Sequence, residues 1–173
     1  HRCELIDEID GVKFINDSKA TNVDAVAKAL LATPMRENSP EANVWLLAGG
    51  KDKGFEYHDV GPLLLQRVKA AYLIGETREK LRAARSLFTP CTLASSLVEA
   101  VQRAAQHAAS GDVVLLSPAC SSFDQFQNYK HRGEVFRHAV SKLPGAVLSA
   151  PENRAGTQDR ADKQFAPGRE ENP

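Results

Sequence analysis

The sequence is short of long apolar runs. Its best stretches, Val44-Trp45-Leu46-Leu47-Ala48 and Val113-Val114-Leu115-Leu116, stop far below the roughly 20 residues of a bilayer-crossing helix. Net charge is missing too: 22 basic and 22 acidic side chains cancel, so no global field favours nucleic acid or a membrane surface. Cysteine is scarce and odd in number (Cys3, Cys91, Cys120), without a C-x-x-C pair. That argues against a disulfide framework and for a reducing, cytoplasmic compartment, with the thiols as small core residues. Neither the P-loop G-x-x-x-x-G-K-[ST] nor the dinucleotide G-x-G-x-x-G occurs. The histidines form no ligand set: His131 and His138 are two helical turns apart with no third ligand placed by spacing, and His58 and His107 read as surface helix positions. No metal site is expected on this chain.

The stretch that organises the chain is Asn16-Asp17-Ser18-Lys19-Ala20-Thr21-Asn22. It follows a β-type run, Gly11 to Ile15, and precedes the apolar-periodic Val23, Ala25, Val26, Ala29 and Leu30. It is therefore a strand-to-helix loop with Asn22 at the N-cap position. Such a loop offers unpaired N–H groups and the positive end of a helix dipole, to which this one adds Lys19, two hydroxyls and Asp17. On these residues alone it is either a capped turn or an anion site.

Two short strands, Cys3 to Ile9 and Gly11 to Ile15, are expected to meet at an Asp10-Gly11 hairpin turn. A first helix over about Asn22 to Ala32 leads to a strand at Val44 to Ala48. A helix at Val60 to Val68, a strand at Ala70 to Ile74 and a helix capped by Thr77 follow. Next come a weaker strand near Leu87 to Leu93, a helix from Leu97 to Ala109, the strand Val113 to Leu116, and a last helix reaching about Leu143 and fed by the loop at Ser117 to Ser122. Ala146-Val147-Leu148 is expected as an edge strand. The fold class is α/β: a Rossmann-like, mostly parallel sheet with helices on both faces and hairpin-like strands at the N-terminal side. The domain should span residues 1–149. Residues 150–173 are polar, with Phe165 the one large apolar side chain, and are expected to be a disordered tail. The chain opens at His1 directly into a strand pattern, as expected of a domain cut from a longer protein.

In this architecture ligands bind beyond the carboxyl ends of the strands, where two more loops carry chemistry. Gly49-Gly50-Lys51-Asp52-Lys53-Gly54 combines close backbone approach with two ammonium groups, suited to a carboxylate. Ser117-Pro118-Ala119-Cys120-Ser121-Ser122-Phe123-Asp124 could hold a second anion, or simply cap the last helix through Ser121 or Ser122. Cys120 as a nucleophile is disfavoured, because no histidine lies near it in sequence and G-x-S-x-G is absent. Phe123, Phe126, Tyr129 and Phe136 recur at near-helical spacing and read as core. Gly133, inside the last helix, implies a close packing contact or a break, since a mid-helix glycine costs about 1 kcal/mol relative to alanine.

Taken together, His1-Arg2, N-D-S-K-A-T-N, the G-G-x-x-K loop and L-S-P-A-C-x-S-x-D-Q-F-x-N-[FY]-x-x-R-G resemble the C-terminal domain of Mur ligases of the D-glutamate-adding type, over about His1 to Leu143. The resemblance implies an ATP- and Mg2+-dependent ligase of three domains that joins D-glutamate to UDP-N-acetylmuramoyl-L-alanine during cell-wall precursor synthesis. ATP phosphates and metal would be held mainly by domains absent from this chain, so the isolated chain should be inactive. By the family pattern Lys19, Thr21, Lys53, Ser122 and the backbone around Tyr129 surround the amino acid, and His1, Arg2 and Asp17 lie on the nucleotide side. Tyr129 stands where the pattern has phenylalanine. A cytoplasmic monomer without nucleic-acid or membrane partners is the expectation. A ligase adding L-glutamate, or a free-standing amino-acid-binding module, remain the alternatives.

Overall fold

A computed structural model describes residues 1–36, 39–54, 57 and 60–147. Strand β1 (Glu4–Ile9) turns into β2 (Val12–Asn16) at Asp10 and Gly11, both with positive φ (51° and 77°). This is the two-residue turn whose twist suits a hairpin, and the strands pair antiparallel. Then follow α1 (Val23–Ala32), β3 (Val44–Gly49), α2 (Gly61–Arg67), β4 (Val68–Ile74), α3 (Arg78–Arg85), β5 (Cys91–Leu93), α4 (Leu97–His107), β6 (Val113–Leu116) and α5 (Tyr129–Ser141).

Among the described residues the strands form one sheet in the order β1-β2-β6-β3-β4-β5, parallel from β2 onward. Parallel strands need both faces covered, which the near-continuous apolar runs of β3 and β6 already signal. One face packs Val26, Leu30, Leu64 and Leu81 from α1, α2 and α3. The other packs Leu97, Val101, Phe136 and Val140 from α4 and α5. The connection through α4 returns the chain from the β5 edge to the middle, so β6 lies between β2 and β3. That reversal brings the loops after β2, β3 and β6 side by side at the carboxyl ends.

The amino ends are pinned by Asp112. Its fully buried carboxylate accepts bonds from Arg36 Nη2 (2.8 Å), Lys69 Nζ (3.0 Å), Trp45 Nε1 (3.0 Å) and the amide of Ala109 (3.0 Å). Burial alone would raise its pKa. The amide, the indole and the Lys69 charge outweigh burial and hold it below the ordinary aspartate value. Arg85 is the opposite case: among the described residues its fully buried guanidinium has no hydrogen-bond partner for any of its three nitrogens, a net cost to the fold.

Several expectations need correction. Helix α5 starts at Tyr129, capped by the Asn128 side chain on the amide of His131 (2.9 Å), not at Ser121 or Ser122. The intervening segment is spent otherwise: Ser121 bridges to Lys51, and the Ser122 carbonyl accepts the amides of Gln125 and Phe126. Phe123 is accordingly 68% exposed and not core, while Phe136 is fully buried. Thr77 precedes α3 but gives it no side-chain cap. The weak strand shrinks to Cys91–Leu93, because Ser86 to Pro90 turn back on Arg85, leaving Leu87 exposed. Of the thiols only Cys120 is buried; Cys3 is exposed. Ala146 and Val147 are outside any strand. Leu148, the tail from residue 150 and His58 lie outside the described residues.

Candidate functional site

The loop after β2 is rigid because its short polar side chains satisfy its own backbone. Asn16 Oδ1 accepts the Ser18 amide (3.1 Å), and the Asp17 carbonyl accepts the Ala20 amide (2.9 Å). Asn22 closes the loop as N-cap of α1, its Oδ1 on the amide of Ala25 at 2.8 Å. Asp17 turns inward, accepting from the Cys3 amide and the Ser117 hydroxyl, each at 3.2 Å. Burial pushes its pKa up, and those two hydrogen bonds only partly oppose this. Lys19 stays exposed and Thr21 half-exposed.

The loop after β3 needs its glycines. A Cβ on Gly50 would sit 2.2 Å from the Ser121 carbonyl oxygen, and one on Gly49 would sit 2.0 Å from that of Ile74. Beyond them Asp52 accepts from the Gly54 amide (2.9 Å), Lys80 Nζ (3.1 Å) and the Tyr57 hydroxyl (3.2 Å). The amide first, then Lys80, hold Asp52 below its ordinary pKa. Burial, together with Cys120 and Asp52, pushes Tyr57 well above its usual range. With Lys51 paired to Glu76 (3.7 Å), the loop delivers Lys53 Nζ to the carbonyl oxygen of Thr21 at 3.4 Å.

The loop after β6 binds to both others. The Gly49 amide donates to Pro118 O (2.8 Å), the Lys51 amide to Ser121 O (2.9 Å) and the Ala119 amide to Ala20 O (3.0 Å). Cys120 is fully buried, its sulfur 3.3 Å from Thr77 Oγ1 and 3.5 Å from the Tyr57 hydroxyl. A thiol so enclosed, bonded to hydroxyls and with no imidazole among its contacts with the described residues, reads as structural. Ser122 is only 2% exposed, so its hydroxyl lies beneath the loop surface.

The structure thus divides the sequence-derived residues. Thr21 and Lys53 meet. Arg2, Asp17 and Lys19 line one cavity of about 530 Å³ against α1, a grouping that sets Lys19 beside two residues expected on the nucleotide side and not with Thr21 and Lys53. His1 packs edge-on to the Tyr129 ring (6.4 Å between centroids), with Nδ1 2.9 Å from Asn16 Nδ2 and Nε2 3.3 Å from Glu134. Gly133 explains itself here: a Cβ would fall 2.3 Å from His1 Nδ1. The Tyr129 carbonyl accepts the Ser18 hydroxyl at 2.7 Å. A larger cavity, about 760 Å³, opens at the opposite end of the sheet, but its charged lining is only Asp10 and Lys142 and none of the three loops reaches it.

Sequence reasoning missed Ser18, Thr77 and Arg132 as the residues that hold the loops. The available signal was Arg132 itself, four positions before the buried Phe136 and so on the apolar stripe of α5.

No group of three or more metal-ligating side chains exists among the described residues, and no phosphate loop is present in the sequence.

Three parallel-strand loops, two of them carrying lysines, meet at a topological reversal of a doubly covered α/β sheet, the place where such folds take ligands. The model of the Mur ligase glutamate ligase domain matches residues 1–120, and the chain belongs to that family. It is 49% identical over 147 residues to UDP-N-acetylmuramoylalanine–D-glutamate ligase of Acidobacterium capsulatum, covering 85% of this chain and 30% of the relative. To the enzyme of the same name from Solibacter usitatus it is 46% identical, covering 83% and 31%. The chain therefore spans about a third of the length of these relatives. Among solved structures it resembles MurF ligase from Thermotoga maritima in complex with ADP (TM-score 0.50, 18% identity, 80% of this chain and 30% of that one), a likeness of fold. Among the described residues no helix is long and apolar enough to cross a membrane.

Proposed function

We propose that this chain is the amino-acid-binding domain of an ATP-dependent ligase that joins D-glutamate to UDP-N-acetylmuramoyl-L-alanine in peptidoglycan precursor synthesis, acting as a monomer in the cytoplasm. The observation that carries the reading is the meeting of Lys53 with Thr21 across two loops that start on different strands. It sets an ammonium beside the carbonyl of a hydroxyl-bearing residue on the neighbouring loop, an arrangement suited to a dicarboxylate. The relatives named as D-glutamate ligases support the substrate.

ATP, bound mainly by the parts of the protein beyond this chain, supplies phosphorylation of the acceptor carboxylate, and Mg2+ belongs with it there. The residues here act on the incoming amino acid. Lys53 binds one carboxylate as a compact point charge, and Lys19, Thr21 and the Ser122–Tyr129 segment bracket the remainder. Held by its carboxylates, D-glutamate keeps its amine aimed at the acyl carbon, so that amide formation expels phosphate. The contribution is proximity and orientation. Arg2 and Asp17, which line the cavity that Lys19 shares, and His1, which packs on Tyr129, are assigned to the nucleotide side by the family pattern.

The test is Lys53→Ala in the full-length ligase. A charged contact of this kind is worth roughly 1.5–3 kcal/mol, so KM for D-glutamate should rise ten- to hundredfold while KM for ATP stays within about twofold. The isolated chain should release no phosphate from ATP with D-glutamate. Turnover by the chain alone, or equal effects of Lys53→Ala on both substrates, would defeat the reading.

A further inference from the structure

Arg132 lies in the first turn of α5 and is fully buried. Its Nε donates to Ser18 Oγ (3.0 Å), Nη2 to Ser18 O (2.9 Å) and Nη1 to Cys120 O (3.1 Å). The Ser18 hydroxyl in turn donates a hydrogen bond to Tyr129 O at 2.7 Å. The guanidinium also lies against the third loop, since a Cβ on Gly50 would meet Nη1 at 3.2 Å. One side chain therefore bonds two of the loops and lies close to the third.

All three of its bonds end on neutral oxygens, and among the described residues no carboxylate stands within ion-pairing distance. Burial pushes Arg132 down to about 10, while the fields of Cys120 and Asp124 act the other way; it remains charged at neutral pH. A buried cation balanced only by the field of Asp124, without a direct ion pair, is costly. A purely mechanical brace could be neutral, so a charge this incompletely balanced behind the loops calls for an anion in front of them.

We propose that Arg132 is a positioning residue for the amino-acid substrate, locking the loop after β2 to the loop after β6 and placing a buried positive charge, without a direct ion pair, behind the carboxylate site. This rests on the ligase reading above and deepens it. Arg132 touches no substrate itself; it acts through Ser18, Cys120 and the Tyr129 backbone.

The experiment uses the full-length ligase with Arg132→Lys, Arg132→Met and Ser18→Ala, measuring KM for D-glutamate and for ATP, kcat and thermal midpoint. Arg132→Met should raise KM for D-glutamate tenfold or more with KM for ATP within about twofold. Arg132→Lys, which keeps the charge but loses the fork, should recover part of that loss. Ser18→Ala keeps the charge and unties one loop, so its KM should fall between wild type and Arg132→Met. Variants that lose thermal midpoint with both KM values at wild type would overturn the inference. Should Arg132→Met fail to fold, Arg132→Lys and Ser18→Ala decide, and wild-type KM for D-glutamate in both overturns it equally. Wild-type enzyme without D-glutamate-dependent ADP formation would sink the ligase reading first. Normal wild-type activity with unresponsive variants sinks only the role of Arg132.

Discussion

Thr77 and Gly50 bond each other three times. The Gly50 amide donates to Thr77 Oγ1 (3.2 Å), Thr77 Oγ1 donates to Gly50 O (3.0 Å), and the Thr77 amide donates to the same oxygen (3.0 Å). Thr77 is therefore a clamp on the lysine loop, which is why its hydroxyl is not spent on capping α3. Thr77→Val keeps the shape and strands a buried amide, at an expected cost of about 1–3 kcal/mol, whereas Thr77→Ser should stay within about 1 kcal/mol of wild type. Urea denaturation of the chain measures both. A Thr77→Val protein as stable as wild type would show that the clamp carries no energy.

Within Asn16–Asn22, stability and binding should separate by residue. Asn22→Ala removes the cap on Ala25 and should cost about 0.5–2 kcal/mol. Lys19→Met and Thr21→Val alter exposed or half-exposed groups and should leave stability within about 1 kcal/mol. In the full-length ligase these two should weaken use of the amino acid while Asn22→Ala lowers the melting point. Full activity in both Lys19→Met and Thr21→Val would remove this loop from the site.

Asp112 gives the fold a defined pH response. Its folded pKa lies below the ordinary value of 3.8, so between those two values the unfolded chain binds more protons. Stability from this group is full above 3.8 and is lost as pH falls through the folded pKa. Asp17, pushed upward by burial, has the opposite sign: the folded chain binds more protons just above 3.8, and stability declines there as pH rises. Asp112→Asn should flatten the acid limb of the stability profile, and Asp17→Asn should remove the decline on its other side. Asp112→Ala, which leaves Arg36 and Lys69 unpaired, should cost about 3–5 kcal/mol at neutral pH. Denaturation midpoints taken across pH 3 to 7 read all three variants, and parallel curves would refute the assignment.

Much of the architecture was legible without coordinates because it depends on neighbours in sequence. Asp10-Gly11 adopts the positive φ values a tight hairpin requires, Asn22 caps the helix beginning one residue later, and the unbroken apolar runs of β3 and β6 are what a doubly covered parallel strand must be. Where equally local signals misled, a distant partner had outbid a near one. Thr77 looks like a cap until Gly50, 27 residues away, takes its hydroxyl, and Ser121 and Ser122 look like caps until the former bridges to Lys51.

The site divides the same way. Lys19, Thr21, Lys53, Asp17 and the serine loop could be named from residue type and place in the strand-loop-helix pattern. Their grouping could not: Lys53 reaches Thr21 across 32 residues, while Lys19 opens into the cavity of Arg2 and Asp17. Arg132 is the extreme case, since a lone arginine on an apolar helix face says nothing about Ser18, 114 residues earlier. Backbone conformation and amphipathic period are settled within a few residues of chain, so the elements and the chemistry each loop carries follow from local sequence. Hydrogen-bond partners brought together by the return of β6 between β2 and β3 are chosen only once the sheet has assembled, because a buried donor takes whichever acceptor the packing leaves within reach.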